Sequence, residues 1–301
     1  MSVDLKKIKT EQRNENTKDI DLLSTKEMLQ KINNEDKKVA LAVEAELDKI
    51  AKLVDAVVSI FENDGRLIYM GAGTSGRIGI VDAVECRPTY GVSEDMVQCL
   101  MAGGTMAFVK AVEGAEDNRD LAVEDLKKIE LKANDFVIGI AASGRTPYVL
   151  SGIEYAKSIG AQTGCIVTSP SSPLAAIVDY PVEAITGEEV ITGSTRMKSG
   201  TAQKFICNMI STASMIKMGK VYQNLMIDVL PTNEKLVSRA QGILSEATGV
   251  TKEQAKELIE KYGNVKKALF ACLSGVEDKE EVNKILDSVK GNIRKALAKV
   301  Q

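Results

Sequence analysis

Short apolar runs that end in small residues and lead into helical stretches constrain this chain more than any other feature. Leu67-Ile68-Tyr69-Met70 runs into Gly71, and Val97 to Met101, Phe136 to Ile140 and Cys165-Ile166-Val167 repeat the pattern. Runs of this length bounded by turn residues read as buried strands. Helical segments lie between them, notably Asn118 to Ile129 and Pro147 to Ile159, with Pro147 suited to the first turn of its helix. Strand alternating with helix predicts an open, mostly parallel α/β sheet flanked by helices, with ligands at the C-terminal ends of the strands.

The flanks read differently. Met1 to Asp21 is polar and mixed in charge, an extended arm unlike a signal peptide. Thr25 to Phe61 reads as helix, with Leu41, Val43, Leu47, Ile50, Val54 and Val57 at three- and four-residue spacing. After Leu230-Pro231 the text holds only charged, amphipathic helical patterns, broken at Gly249, Gly263, Gly275 and Gly291. The expected domains are residues 1–235, the arm and sheet domain, and residues 236–301, a small all-helical domain.

Composition removes several classes of function. A chain of 301 residues can bury a core that needs no metal or disulfide staple. Lys plus Arg is 39 against 42 for Asp plus Glu, so there is no electrostatic footprint for nucleic acid. No apolar run approaches the ~18 residues of a membrane span. The five cysteines lack a C-x-x-C pair and read as reduced thiols in a cytoplasmic protein. There is no histidine. A Ser-His-Asp triad, a Cys-His dyad and a His-ligated zinc are therefore excluded, and proton transfer near neutral pH falls to Glu, Asp, Lys, Tyr or Cys.

Three loops are candidate sites. Gly71-Ala72-Gly73-Thr74-Ser75-Gly76 follows a strand and opens a helix, where backbone N–H groups and the Thr74 and Ser75 hydroxyls suit a phosphate. The same segment is compatible with the dinucleotide fingerprint G-x-G-x-x-G, but Glu94 and Asp95 lie before the second strand rather than after it. Ala141-Ala142-Ser143-Gly144-Arg145-Thr146-Pro147 repeats the arrangement after another strand; Arg145 can pair with an anion or face solvent. Ile191 to Gly200 joins the hydroxyls of Ser194 and its neighbours to Arg196 and Lys198 ahead of the helix Thr201 to Ile216, as a ligand loop or a helix cap. Two acidic segments could supply the chemistry: Asp82 to Cys86, containing Glu85, and Ala111 to Asp117, where sequence does not separate Glu116 from Glu113 and Asp117.

Gly73-Thr74-Ser75 and Ser143-Gly144-x-Thr146 resemble the phosphate loops of the sugar-isomerase (SIS) fold, although several isomerases of that fold carry a further hydroxyl where this chain has Ala141. A longer match is to N-acetylmuramic acid 6-phosphate etherases. It rests on Thr10 to Asn14, GAGTSGR at Gly71 to Arg77, Asp82 to Tyr90, AVEGAED at Ala111 to Asp117, GIAASGRTPYV at Gly139 to Val149, TGSTRMKSGTAQK at Thr192 to Lys204 and Asn224 to Val229. One departure stands out: the family usually reads E-C-P-P-T where this chain reads Glu85-Cys86-Arg87-Pro88-Thr89.

The resemblance implies a SIS-type sheet domain and a ubiquitin-associated-like helical C-terminal domain. It implies a cytoplasmic homodimeric lyase of peptidoglycan recycling that turns N-acetylmuramate 6-phosphate into N-acetylglucosamine 6-phosphate and D-lactate. It carries the acid role to Glu85, whose carboxyl must be desolvated to stay protonated, and the C2 base role to Glu116. Substrate binding falls to Gly73, Thr74, Ser75, Ser143, Gly144, Thr146, Ser194 and Lys198, with no metal or organic cofactor and no nucleic-acid or membrane partner. The rivals are an aldose–ketose isomerase, which shares the C2 proton abstraction, and a non-catalytic phosphosugar sensor.

Overall fold

The computed structural model describes residues 9–110, 112–229 and 234–300. It divides into two compact units: residues up to Val84 with Asp95–Ser211, and Glu85–Glu94 with residues from Thr212 onward.

In the first unit, helices α1 (Thr25–Glu44) and α2 (Leu47–Glu62) precede strand β1 (Leu67–Gly71). Helix α3 (Gly73–Tyr90), strand β2 (Val97–Met101) and helices α4 (Gly104–Val109) and α5 (Arg119–Lys128) follow. Next come β3 (Phe136–Ile140), α6 (Pro147–Ser158), β4 (Gln162–Val167), α7 (Pro173–Ile177), β5 (Tyr180–Glu183) and α8 (Lys198–Lys217). The five strands pair in parallel in the order β2-β1-β3-β4-β5.

Every residue of β1 and β3 is buried, because helices cover both faces of the sheet. Ile68, Met70 and Val137 pack under α5 and α6 with Leu126, Tyr148 and Val149. Gly79 of α3 lies against Tyr69 and Ile140, whose side chains leave the sheet on its other face. Each large apolar side chain buried here contributes about 1.5–3 kcal/mol.

The helical reading of residues 25–61 holds, with a break at Ala45 and Glu46 between α1 and α2. Val43, Ile50, Val54 and Val57 are buried, whereas Leu41 and Leu47 are exposed in the single chain. The N-terminal strip from residue 9 differs from an extended arm. It forms three short 3-10 turns, and Thr10, Asn14 and Thr17 are buried. Gly193 N donates to Thr10 O at 3.1 Å, Asn14 Nδ2 to Glu188 O at 3.2 Å and Thr17 Oγ1 to Val190 O at 2.8 Å. The Asn14 and Thr17 side chains stay in the interior because the carbonyls of Glu188 and Val190 need donors.

In the second unit, the two-residue strands β6 (Val221–Tyr222) and β7 (Leu225–Met226) form an antiparallel hairpin. Helices α9 (Glu234–Thr248), α10 (Lys252–Tyr262), α11 (Val265–Ser274), α12 (Lys279–Asp287) and α13 (Ile293–Val300) follow. Gly249, Gly263, Gly275 and Gly291 stand between successive helices with φ of 79°, 97°, 76° and 75°, the left-handed conformation that ends a helix most readily at glycine. A capping box between Thr251 and Gln254 starts α10. The core joins Leu244, Leu269, Phe270 and Val282 to Tyr222, Ile227 and Val229, so its apolar content begins upstream of residue 236. Lys266 is buried beside Asp228, with which it forms an ion pair.

Candidate active site

The sheet order changes direction at β1 and β3: β1 is followed in the chain by β2 on one side, and β3 and the later strands continue on the other. The loops leaving neighbouring strands at such a switch point diverge and leave a crevice. A cavity of about 390 Å³ lies there. Ala72, Gly73, Thr74 and Ser75 form one wall, and Ala141, Ala142, Ser143, Arg145, Thr146 and Pro147 form another. The chain can turn this tightly from β1 into α3 because Gly71 and Gly76 touch. A Cβ on Gly71 would stand 2.6 Å from Gly76 N.

Both walls are helix starts, where backbone N–H groups lack intrahelical acceptors and attract anions. Thr146 is the N-cap residue of α6 without capping it through its side chain. The Ser75 hydroxyl donates to Gln203 Oε1 at 2.9 Å. Gly73, Thr74, Ser75, Ser143 and Thr146 come together around this cavity, with Thr195 from the third loop. Gly144 is buried against Ser172 and is not a wall. Ser194 is also outside the walls.

Lys198 differs from its expected role. It is 1 % exposed, and its ammonium donates to Glu35 at 2.7 Å. Burial pushes the Glu35 carboxyl up, but hydrogen bonds from Lys198 and Lys38 outweigh it and hold the group at about 2. Asn16 Nδ2 adds a bond to the same carboxylate at 3.2 Å. Glu189 accepts from Lys198 N at 3.0 Å and from Ser199 N at 2.9 Å, capping the start of α8. The lysine thus serves a buried ion pair that sets α8 against α1.

Of the acidic candidates in the 113–117 segment, Glu116 stands apart. It lies in the 3-10 turn Ala115–Asp117 and borders both the first cavity and a second one of about 340 Å³. Glu113 borders only the second and Asp117 only the first. Thr10 and Glu11, which the sequence places in an arm rather than among the site residues, also line the first cavity.

Glu85 belongs to the second unit and is exposed on the last turns of α3, so burial within the single chain does not desolvate it as the acid role demands. Helix α3 continues through Arg87 and Pro88 to Tyr90, and Arg87 pairs with Glu94 across the exposed surface. One turn earlier, Asp82 is 4 % exposed and accepts from Tyr69 Oη at 3.0 Å, Asn208 Nδ2 at 2.7 Å and Ser211 Oγ at 2.9 Å. Burial pushes its carboxyl up against the pull of these donors.

Comparison with known proteins fits this geometry. A family model for the glucokinase regulatory protein N-terminal SIS domain matches residues 49–157, and one for the SIS domain matches residues 120–213. A Clostridium botulinum (strain Loch Maree / Type A3) protein named N-acetylmuramic acid 6-phosphate etherase is 52% identical over 300 residues, 99% of each chain. A Bacillus cereus (strain ATCC 14579) protein of the same name is 55% identical over 294 residues, 97% of this chain and 100% of its own. The chain belongs to the N-acetylmuramic acid 6-phosphate etherase family. The fold of this chain is similar to that of a Bacteroides fragilis protein described as a phosphosugar isomerase involved in capsule formation. Its TM-score is 0.50 at 22% identity, over 65% of this chain and 94% of that one. No described helix is long and apolar enough to cross a membrane, and no described cluster of His, Cys, Asp or Glu could hold a metal ion.

Proposed function

We propose that this chain cleaves the D-lactyl ether of N-acetylmuramate 6-phosphate, releasing D-lactate and N-acetylglucosamine 6-phosphate. The observation that carries the reading is Glu116, a carboxylate at the rim of a hydroxyl-lined cavity in a full-length relative of named etherases. Ser75, Ser143 and Thr146 hold the 6-phosphate with the amides of the two helix starts. In the open-chain sugar, the C1 aldehyde acidifies the C2 proton. Glu116 takes that proton, and the enolate expels the ether oxygen from C3. An alkoxide leaves poorly, so a second carboxyl donates a proton to it, the role given to Glu85. Water then adds to C3 of the unsaturated aldehyde.

Glu85 is exposed in the single chain, and a second copy covering α3 would enclose it. Val81 and Val84 flank Glu85 and are 53 % and 64 % exposed, which supports a homodimer through this face. A cytoplasmic place in peptidoglycan recycling belongs to the same proposal. Incubation with N-acetylmuramate 6-phosphate and assay of D-lactate tests the reading: stoichiometric lactate is expected, and its absence overturns it.

A further inference from the structure

The second cavity is continuous in its walls with the first. Ala72, Gly73 and Glu116 border both. Beyond these shared residues its walls are mostly small or apolar, among them Ala102, Ala107 and Val112, with Glu113 as a further carboxylate and Arg77 as the one cation among the described walls. Arg77 is held in place: Nε donates to Phe108 O at 3.0 Å and Nη2 to Ala107 O at 2.8 Å, both at the end of α4. A guanidinium carries five donors in a planar fork, so two carbonyls fix its plane without exhausting it.

This arrangement matches one part of the substrate that the phosphate loops leave unaddressed. N-acetylmuramate 6-phosphate carries two anions: the phosphate on C6 and the carboxylate of the lactyl group on C3. C3 is bonded to C2, where Glu116 acts. A substituent on C3 must therefore lie beside Glu116. Resting on the etherase reading, we propose that the second cavity is the lactyl pocket. The lactyl methyl packs on Ala102, Ala107 and Val112, and the lactyl carboxylate pairs with Arg77. The pocket would distinguish substrate from the sugar product, which lacks the lactyl group, and would hold D-lactate until it leaves.

The pocket can be tested from the substrate side and the protein side together. N-acetylmuramate 6-phosphate and its neutral lactyl carboxamide are compared on the native enzyme and on Arg77→Met. Lactate or lactamide release is measured beside exchange of the C2 hydrogen of N-acetylglucosamine 6-phosphate in heavy water, and thermal unfolding monitors the fold. The native enzyme should prefer the acid over the amide in kcat/KM by about 10- to 100-fold, the worth of a hydrogen-bonded charge. Arg77→Met should erase most of that preference and lower lactate release out of proportion to C2 exchange. Equal turnover of acid and amide by the native enzyme, a result that needs no variant, overturns the pocket while leaving the etherase reading intact. An equal fall of lactate release and C2 exchange in Arg77→Met overturns it as well, since it would place the 2-acetamido group or the sugar at Arg77 instead. If the native enzyme releases no lactate from the natural substrate, the etherase reading itself fails.

Discussion

The Ser75 hydroxyl donates to Gln203 Oε1 at 2.9 Å, while Nε2 of the same amide, on a residue 1 % exposed, has no hydrogen-bond partner among the described residues. In this orientation Ser75 offers the cavity only lone pairs, whereas a phosphate wants a donor. Half a turn of the amide would place Nε2 on Ser75 Oγ, satisfy the orphaned group and free the hydroxyl hydrogen for the phosphate. Gln203 is then a positioning residue that acts through Ser75. Ser75→Ala should weaken phosphosugar binding by about 1.5–3 kcal/mol. Gln203→Met should raise KM with little change in kcat in the native background and have no further effect on KM in Ser75→Ala. Additive effects in that double-mutant cycle would show that Gln203 acts on the fold alone.

The Glu35–Lys198 pair should dominate the response of the first unit to truncation and to acid. Lys198→Met leaves a buried carboxylate with only Lys38 and Asn16 nearby, and should cost about 3–5 kcal/mol in denaturant unfolding. The Glu35 carboxyl is held at about 2, below its ordinary 4.5, so the unfolded chain binds its proton more readily than the folded one. Its stabilisation is therefore complete above pH 4.5 and is lost as the pH falls from there towards about 2. In Lys198→Met the part of the acid-induced loss due to this pair should vanish. A variant as stable as the native chain, with the native acid-induced loss between pH 4.5 and about 2, contradicts the assignment.

The N-terminal strip should contribute to both stability and turnover. Thr10, Asn14 and Thr17 are buried, and Thr10 and Glu11 line the first cavity. Deleting residues 1–17 should lower the melting temperature by several degrees as well as kcat/KM, since buried carbonyls at Glu188 and Val190 lose their donors. An unchanged melting temperature with lost activity would mean that the strip serves only the site.

The sheet and the two loops that wall the first cavity were legible because buried parallel strands are written as uninterrupted apolar runs and their loops as small hydroxylated residues. β5 was not, since Tyr180–Glu183 is four residues long, contains Pro181 and lies at the sheet edge, where no apolar run is needed. The burial of Lys198 was illegible because its partner, Glu35, lies far away in the sequence on α1. A polar strip such as Thr10 to Thr17 looks solvated until the carbonyls it satisfies are known. The cavity walls also separate Glu116 from Glu113 and Asp117, which spacing along the chain does not.

The division of labour between two glutamates is the centre of this account, and one paired measurement reaches it most directly. Glu85→Gln and Glu116→Gln are incubated with N-acetylmuramate 6-phosphate in deuterated buffer, and proton NMR follows the C2 signal while lactate is assayed on the same sample. Glu116→Gln should lose both C2 exchange and lactate release, and Glu85→Gln should lose lactate release but keep exchange, each loss being on the order of 10²–10⁴-fold. Exchange that survives in Glu116→Gln and vanishes in Glu85→Gln would reverse the roles, and full lactate release by both variants would contradict the mechanism.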